Sequence, residues 1–156
     1  MGPEKKKYYT PYEMSTIIER MIALNTITDA RDYGVGEKFH SVEVHILSYI
    51  AEKPGITVTE LAYDWNRTKG AISQIIKKLE KKGLIYREKE PGNKKKTGLY
   101  ATENGEQLNA AHQEYDTRNY EGFLEIVKKY YSEEEIQNAF SFMETWIKLS
   151  MEWDPQ

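Results

Sequence analysis

One amphipathic segment restricts the folds open to this chain more than any other part of its sequence. Between Thr68 and Gly83, apolar residues recur at the i, i+3, i+4 and i+7 spacing of a helix face, as Ile72, Ile75, Ile76 and Leu79. The other face is polar and basic, with Lys69, Ser73, Gln74, Lys77 and Lys81. Thr68 is a candidate N-cap and Gly83 a stop signal. The pattern predicts a helix that anchors one face on a core and leaves a basic face in solvent.

The residues around this segment predict the elements that pack beside it. Thr57 and Glu60 form a capping box that opens a short preceding helix, which ends near Trp65 or Asn66. After the basic helix, residues 84–89 alternate as a strand does, and residues 99–102 suit a second short strand. The loop between them begins with Pro, ends with Gly and carries three consecutive lysines. The expected result is a β-hairpin with a positively charged tip.

Charge is segregated along the sequence. Residues 66–98 include 11 basic and 3 acidic residues, a net charge of +8, whereas the whole chain has a net charge of -3. The net charge of all other residues is therefore -11. A basic module in an acidic frame is expected of a protein that lays one surface on a polyanion. The structural alternative is a lysine-rich helix that is merely solvated.

Helical periodicity also extends through both ends of the chain. A first helix is predicted over residues 12–30, and a second runs from an N-cap at Ser41 to Pro54. The second has almost no polar face, which predicts that it is buried. A long helical region follows from Thr102 to about Tyr130, and a capping box at Ser132 opens the last helix.

The last helix has two apolar stripes. The first is Ile136, Phe140, Met143 and Ile147, and the second is Phe142, Trp146, Leu149 and Trp153. One stripe can face its own chain, and a homodimer is the simplest cover for the other. The predicted dimer interface comprises Ile17, Met21, Phe142, Trp146, Leu149 and Trp153. The alternative is a last helix folded between its own neighbours.

These elements together predict a mainly α-helical fold with a small β-hairpin wing. The architecture is a winged helix-turn-helix flanked by N-terminal and C-terminal dimerisation helices. The expected divisions are residues 1–40 for the lead and N-terminal helix, 41–102 for the winged DNA-binding lobe, and 103–156 for the C-terminal helices.

Such a lobe is typical of proteins that bind double-stranded DNA. Ser73 and Gln74 can contact base edges, whereas lysines mostly hold phosphates. The hairpin lysines can lie along the backbone or enter the neighbouring minor groove, and the threonines at the preceding helix start can add phosphate contacts. The full set of predicted DNA contacts is Thr57, Thr59, Arg67, Thr68, Lys69, Ser73, Gln74, Lys77, Lys78, Lys94, Lys95 and Lys96. A protein-interaction module that meets an acidic partner on the same scaffold is the competing function.

The sequence argues against several other classes of protein. It has no cysteine, which excludes disulfides, thiolate metal sites and thiol redox switches in this chain. It lacks a Gly-rich phosphate loop, a G-x-S-x-G motif and an H-E-x-x-H motif, so an enzyme is not expected. No apolar run approaches the roughly 20 residues that span a bilayer, and the N-terminus lacks a signal-peptide stretch. We expect a cytoplasmic protein with no membrane partner.

Three stretches of the sequence resemble the MarR family of bacterial and archaeal regulators. They are GITVTELA at residues 55–62, TKGAISQIIKKLEKKGLI at residues 68–85, and ATENG at residues 101–105. The flanking helices fit as well, so the resemblance covers nearly the whole chain. It implies a homodimeric transcription regulator of the repressor type, with interlocked terminal helices and two winged lobes on a palindromic operator. It also implies a ligand pocket between the dimer helices and each lobe.

The hairpin departs from that family at one point. Wings of the family usually carry an Asp-x-Arg element, whereas residues 92–96 are GNKKK here. Arginine is the favoured minor-groove cation because it is less strongly hydrated than lysine. The lysines therefore predict weaker groove recognition and more phosphate attraction.

Three alternatives stay open for what such a regulator senses, and no cofactor follows firmly from the sequence. A small aromatic or amphipathic effector could contact Tyr12, Tyr33, Tyr49, Trp65 and Tyr115, although tyrosines at helical spacing are more often core or interface residues. The resemblance also places His45 and His112 where zinc-sensing members have ligands, with Asp116 one turn later and Asp29 or Asp32 as a fourth candidate. The third alternative is no effector at all.

Overall fold

The computed structural model describes residues 8–26, 30–90 and 92–153, which form six helices and two antiparallel hairpins. The helices are α1 (Pro11–Thr26), α2 (Ser41–Glu52), α3 (Val58–Asp64), α4 (Lys69–Lys81), α5 (Glu103–Val127) and α6 (Glu133–Glu152). The strands are β1 (Arg31–Asp32), β2 (Lys38–Phe39), β3 (Ile85–Glu90) and β4 (Asn93–Ala101), with β1 paired to β2 and β3 to β4. This order of elements matches the predicted winged helix-turn-helix with flanking helices.

The core forms around α2, whose sequence is apolar on nearly every side. Its fully buried residues are Val44, Ile46, Leu47 and Ile50. The predicted apolar face of α4 packs into the same core through Ile72, Ile76 and Leu79, and the wing and α5 add Leu99 and Leu108. The core thus joins the two helices of the helix-turn-helix to α2 and to the base of the wing.

Side chains cap three helices where local sequence signals predict them. The Thr57 hydroxyl accepts the Glu60 N–H at 3.2 Å, and the Glu60 carboxylate accepts the Thr57 N–H at 2.8 Å. Thr68 caps α4 by accepting the Ala71 N–H at 3.2 Å. Ser132 opens α6 with the predicted capping box. These contacts satisfy N–H groups that a helix start leaves unpaired, and so they fix where α3, α4 and α6 begin.

The start of α2 differs from the prediction by one residue. Ser41 is the first helical residue, and His40 occupies the N-cap position. Glu43 accepts the backbone N–H of His40 at 3.2 Å. Because this carboxylate supplies the cap contact from inside the helix, the N-cap position does not need a hydroxyl side chain.

The wing is longer than the sequence predicts. β3 and β4 pair from Ile85 with Ala101 to Lys89 with Thr97, and a bulge then places Glu90 opposite Asn93. The three consecutive lysines therefore belong to β4, and the prediction that they form the tip of a loop is wrong. The chain reverses beside Gly92, which has a φ of 84°. Lys94, Lys95 and Lys96 lie in the bulge, between Thr97, which pairs with Lys89, and Asn93, which pairs with Glu90.

A second hairpin, which the sequence did not predict, lies between α1 and α2. β1 and β2 pair in antiparallel fashion over two residues each. The Asp32 carboxylate organises the turn between them by accepting the N–H groups of Gly34, Val35 and Gly36 at 2.8, 3.0 and 3.1 Å. Strands this short show no alternation of apolar and polar residues, so only the turn was visible in the sequence.

The ends of two helices fall near their predictions. α1 ends at Thr26, residues 27–29 of its predicted course lie outside the described residues, and Ala30 is not helical. α5 ends at Val127 and runs through Gly122 without interruption. Within the described ranges, none of the helices combines the length and apolarity needed to cross a bilayer.

The chain divides into two compact units. One contains Tyr8–Tyr115, and the other contains the chain from Asp116 onward. In the second unit, α6 buries Ile136 but leaves Phe140 and Ile147 50% and 61% exposed. Met143 of the same stripe is half-buried, so this stripe faces its own chain only in part. α6 and the end of α5 are too few helices to enclose two apolar stripes.

Two glycines permit close backbone contacts in the larger unit. A Cβ on Gly98 in β4 would lie 2.8 Å from the Cα of Gly55, in the turn before α3. A Cβ on Gly105 in α5 would lie 2.1 Å from the carbonyl oxygen of Leu84. Both neighbours are backbone atoms, which cannot rotate away as a side chain can. The start of α5 and the base of the wing are therefore packed at points where a side chain would force them apart.

Gly105→Ala should lower the free energy of unfolding by at least about 2 kcal/mol, because its methyl group would overlap the Leu84 carbonyl. Gly122→Ala, in the same helix, is the matched control. A Cβ there meets nothing within 4 Å, so this change should raise stability by about 0.5–1 kcal/mol. Urea unfolding followed by circular dichroism measures both. A Gly105→Ala protein as stable as the wild type would contradict the packing argument.

Candidate nucleic-acid interface

The polar face of α4 is directed away from the core. Because Ile72, Ile76 and Leu79 are buried, the opposite side of the helix must lie in solvent. Lys69, Gln74 and Lys77 are exposed there, and Ser73 is half-buried beside them. A helix of 13 residues presents such groups along about 20 Å. An α-helix fits into the major groove of DNA, where amide and ammonium groups can reach base edges and phosphates.

The N-termini of α3 and α4 differ in charge. The first turn of α4 has no acidic residue, so no carboxylate of that turn offsets the positive end of its helix dipole. In α3, the Glu60 carboxylate accepts from both the N–H and the hydroxyl of Thr57, each at 2.8 Å. Those backbone and side-chain hydrogen bonds lower the pKa of Glu60 below its ordinary value. The start of α4, capped by Thr68, is therefore the better place for a phosphate, and Thr57 stands beside a negative charge.

Carboxylates pair with four cations of residues 66–98. The pairs are Lys78 with Glu43 at 3.2 Å, Lys82 with Glu37 at 2.5 Å, Arg87 with Glu80 at 2.8 Å and Lys96 with Glu90 at 3.4 Å. Within the part of the chain that the structure describes, no ion pair is present for Arg67, Lys69, Lys77, Lys81 and Lys89. The structure thus separates the predicted DNA contacts Lys78 and Lys96, which have protein partners, from Arg67, Lys69 and Lys77.

Glu43 differs from the other three carboxylates because it is buried. Its side chain is 7% exposed, against 54%, 30% and 46% for Glu37, Glu80 and Glu90. Burial raises the pKa of Glu43. The hydrogen bond from the His40 N–H and the nearby Lys78 ammonium lower this pKa by more, so the net pKa is below the ordinary value. The Glu43 carboxylate is therefore charged at neutral pH and ties the first turn of α2 to α4.

The wing is braced against α4 by an arginine. Arg87 donates to the Glu80 carboxylate through Nε at 2.8 Å and through Nη2 at 3.3 Å, which is a two-point contact of fixed geometry. The side chains of Lys94 and Lys95 lie outside the described part of the structure, and their DNA contacts stay predictions. Arg67 is exposed in the α3–α4 turn.

The aromatic residues proposed as an effector site fall into separate groups. Tyr33 is buried and makes edge contacts with the rings of His112 and Tyr115, at centroid distances of 5.1 and 5.3 Å. Tyr49 instead packs on Trp65 at 6.0 Å, and its hydroxyl donates to Asp64. Tyr12 is exposed on α1. The five residues are thus spread over three places.

The two histidines proposed as metal ligands lie together between α2 and α5. The ring centroids of His45 and His112 are 4.6 Å apart, and a nitrogen of each ring lies within 4.8 Å of the other. His112 is buried, with its Nδ1 3.4 Å from the Ser48 hydroxyl. α5 continues to Asp116, one turn after His112. Asp32 has one carboxylate oxygen committed to its turn, and Asp29 lies outside the described residues.

Sequence reasoning missed the acidic residues that partner this surface. Glu43 precedes Lys78 by 35 residues and Glu37 precedes Lys82 by 45, and no local pattern marks either pair. Arg87 and Glu80 are only seven residues apart. A turn between helix and strand could have suggested that pair, since it folds the strand back beside the helix end.

Comparison with known proteins identifies the lobe. The model of the MarR family matches residues 39–97, from the start of α2 to β4. This chain carries a MarR family domain. Among sequence relatives, YhjH of Bacillus subtilis, an uncharacterized HTH-type transcriptional regulator, is 30% identical over 103 residues, which are 66% of this chain and 59% of YhjH. The chain thus spans less than two thirds of the length of YhjH.

Solved MarR structures share the fold beyond the matched domain. The transcriptional regulator SlyA superposes with a TM-score of 0.69 at 24% identity, covering 92% of this chain and 96% of SlyA. FabT of Streptococcus pneumoniae, in complex with DNA, has a TM-score of 0.61 at 18% identity over 90% of this chain and 94% of FabT. ZitR of Lactococcus lactis, a zinc-responsive MarR family member, has a TM-score of 0.61 at 16% identity over 88% and 96%. The predicted resemblance to the MarR family and its winged fold are confirmed.

Proposed function

We propose that this protein is a MarR-type transcription regulator that binds double-stranded DNA sequence-specifically and acts as a repressor in the cytoplasm. The observation that carries the proposal is the arrangement of α4. Ile72, Ile76 and Leu79 of its apolar stripe are buried, its first turn has no carboxylate, and its outer face holds Lys69, Gln74 and Lys77. A helix presented in this way can enter a major groove with its N-terminus foremost. FabT, which shares the fold, was solved in complex with DNA.

Each part of the surface has its own role in this proposal. The Gln74 amide can donate and accept at once, which suits an adenine edge, and Ser73 can add one contact to a base. Lys69, Lys77 and Arg67 neutralise phosphates beside the groove. The α4 N-terminus at Thr68 takes a further phosphate, as helix starts do. Thr59 and the lysines of β4 extend the contacts along the backbone.

We further propose that two copies pair through the terminal helices. All six residues predicted at the interface, Ile17, Met21, Phe142, Trp146, Leu149 and Trp153, are exposed on the single chain. Phe142 and Trp146 lie together on α6, with ring centroids 5.6 Å apart. Apolar surface left in water is unfavourable by about 25 cal/mol per Å², so a second copy that covers it stabilises both. A two-fold dimer presents two lobes and therefore suits a palindromic operator.

Response to zinc is a second candidate function. The observation that favours it is the approach of the His45 and His112 rings, because two imidazoles within 4.8 Å can share one ion. Asp116 follows His112 by four residues on α5, the spacing at which helical ligands face the same side. A zinc ion with three protein ligands leaves a fourth position for water or for another residue. ZitR, of the same fold, is described as zinc-responsive.

Duplex binding should weaken steeply with salt, with a slope of about 0.9 in log K for each neutralised phosphate. Replacing Lys94, Lys95 and Lys96 together by Ala should weaken binding to every sequence, because phosphate contacts carry no sequence information. Gln74→Ala should mainly change which sequence is preferred. Fluorescence anisotropy with random and selected duplexes measures both effects. A protein that ignores random duplex but captures an acidic protein would instead be an interaction module.

Trp146→Glu should convert dimers to monomers at micromolar concentration, because a buried charge would replace an aromatic contact at the centre of the interface. Tyr63→Glu is the control: Tyr63 is 65% exposed on α3, outside the proposed interface, and its replacement should leave the dimer intact. Sedimentation velocity measures the mass of each variant. A Trp146→Glu protein with the mass of the wild type would place the interface elsewhere.

His112→Ala should abolish zinc binding in isothermal titration, since it removes the buried ligand. His40→Ala should leave zinc binding unchanged, because His40 lies at the α2 N-cap and is not one of the proposed ligands. In the wild type, added zinc should shift duplex affinity in the anisotropy assay. If zinc neither binds nor changes duplex affinity, the metal-responsive function is ruled out.

A further inference from the structure

The cations near the proposed DNA surface are not equivalent. Lys77 and Lys78 are neighbours in α4 and both are exposed, yet only Lys78 is in an ion pair among the residues that the structure describes. Its ammonium lies 3.2 Å from Glu43, at the start of α2. The sequence alone would give both lysines the same role. The structure therefore raises the question of whether Lys78 can also neutralise a phosphate.

The Glu43 carboxylate has few other ways to be stabilised. One oxygen accepts the His40 N–H at 3.2 Å, and the other accepts from Lys78. The side chain is only 7% exposed, so water is a poor substitute for the ammonium. A buried carboxylate without its cation is strongly destabilised, whereas an exposed one is rehydrated. The Glu43–Lys78 pair differs in this respect from the other three pairs, which are Lys82–Glu37, Arg87–Glu80 and Lys96–Glu90. Their carboxylates are 54%, 30% and 46% exposed.

We infer that Glu43 is a positioning residue of the DNA-binding surface. It holds the Lys78 ammonium against the first turn of α2, so that Lys78 fixes α4 in place and does not neutralise a DNA phosphate. This inference rests on the proposed DNA-binding function. The number of phosphates that the protein neutralises is then set by Lys69, Lys77 and the other unpaired cations, and an acidic residue of another helix limits that number.

The salt dependence of duplex binding distinguishes the two roles of a lysine. A lysine that neutralises a phosphate contributes about 0.9 to the slope of log K against log salt, and one that only positions the helix contributes nothing. Between about 50 and 200 mM salt, one neutralised phosphate corresponds to about 3.5-fold in affinity. A lower fraction of folded protein lowers affinity equally at all salt concentrations, so the slope distinguishes a lost phosphate contact from a loss of folded protein.

The experiment compares four variants with the wild type by anisotropy on one duplex over this salt range. Lys77→Met should reduce the slope by about 0.9 for each phosphate that Lys77 neutralises in the wild type. Lys78→Met should leave the slope unchanged while lowering affinity several-fold at every salt concentration. Glu43→Gln keeps an acceptor for the His40 N–H but releases Lys78, and should steepen the slope by up to about 0.9 per lobe. The double variant Glu43→Gln, Lys78→Met should return the slope to that of the wild type.

The outcomes separate this inference from the function on which it rests. If Lys78→Met flattens the slope as much as Lys77→Met does, Lys78 is an ordinary phosphate contact and the inference fails while DNA binding stands. An unchanged slope in Glu43→Gln has the same meaning. If the wild type shows no salt-dependent duplex binding, both fail. The double variant, which leaves no unpaired buried charge, keeps the comparison valid if Lys78→Met alone folds poorly.

Discussion

Burial of the apolar stripe of α4 against α2 is the constraint on which the rest of the lobe depends. Three residues of α4 are inaccessible to water, and the helix that receives them is itself buried on almost every side. An amphipathic helix with one face fixed has no freedom to rotate about its axis, so the position of every outward residue follows. The same core takes up Leu99 of the wing and Leu108 of α5. One set of contacts therefore orients the helix, the hairpin and the first half of the long C-terminal helix.

Charged groups refine what the core has positioned. Arg87 holds the wing to the end of α4, and Lys78 holds the side of α4 to the start of α2. Both contacts use cations that the sequence alone would assign to the same role as the other basic residues of the segment 66–98. The segment of net charge +8 is thus a mixture of cations that hold the lobe together and cations without an ion pair among the described residues. Fewer charges are available for the proposed DNA contact than the composition implies, and Lys69, Lys77 and Lys81 of α4 are among them.

The sequence predicted what is decided locally. Thr57 and Thr68 cap their helices because a hydroxyl three residues before an N–H satisfies it whatever the rest of the fold does. The α4 stripe was equally clear, because its apolar residues keep the helical spacing from i to i+7. The length of β4 was missed because its extension beyond Thr97 depends on a bulge and on the pairing of Glu90 with Asn93, neither of which the lysine-rich sequence marks. The Glu43–Lys78 pair was missed because it joins residues that only the packed core brings together. The terminal helices were predicted, and the residues that the sequence assigned to a dimer interface are exposed on the single chain.

The contact between Gly55 and Gly98 has a mechanical consequence. At this point two backbone segments touch without intervening side chains, and the bridge between Ile56 and Leu99 adjoins it. Side chains that separate two elements can change rotamer and allow the elements to slide past each other. Two backbone segments in direct contact cannot adjust in this way. The base of the hairpin is therefore held directly against the turn before α3. In the proposed dimer, a signal that changes duplex affinity would then shift each lobe as a unit, changing the distance between the two lobes and leaving the shape of each intact.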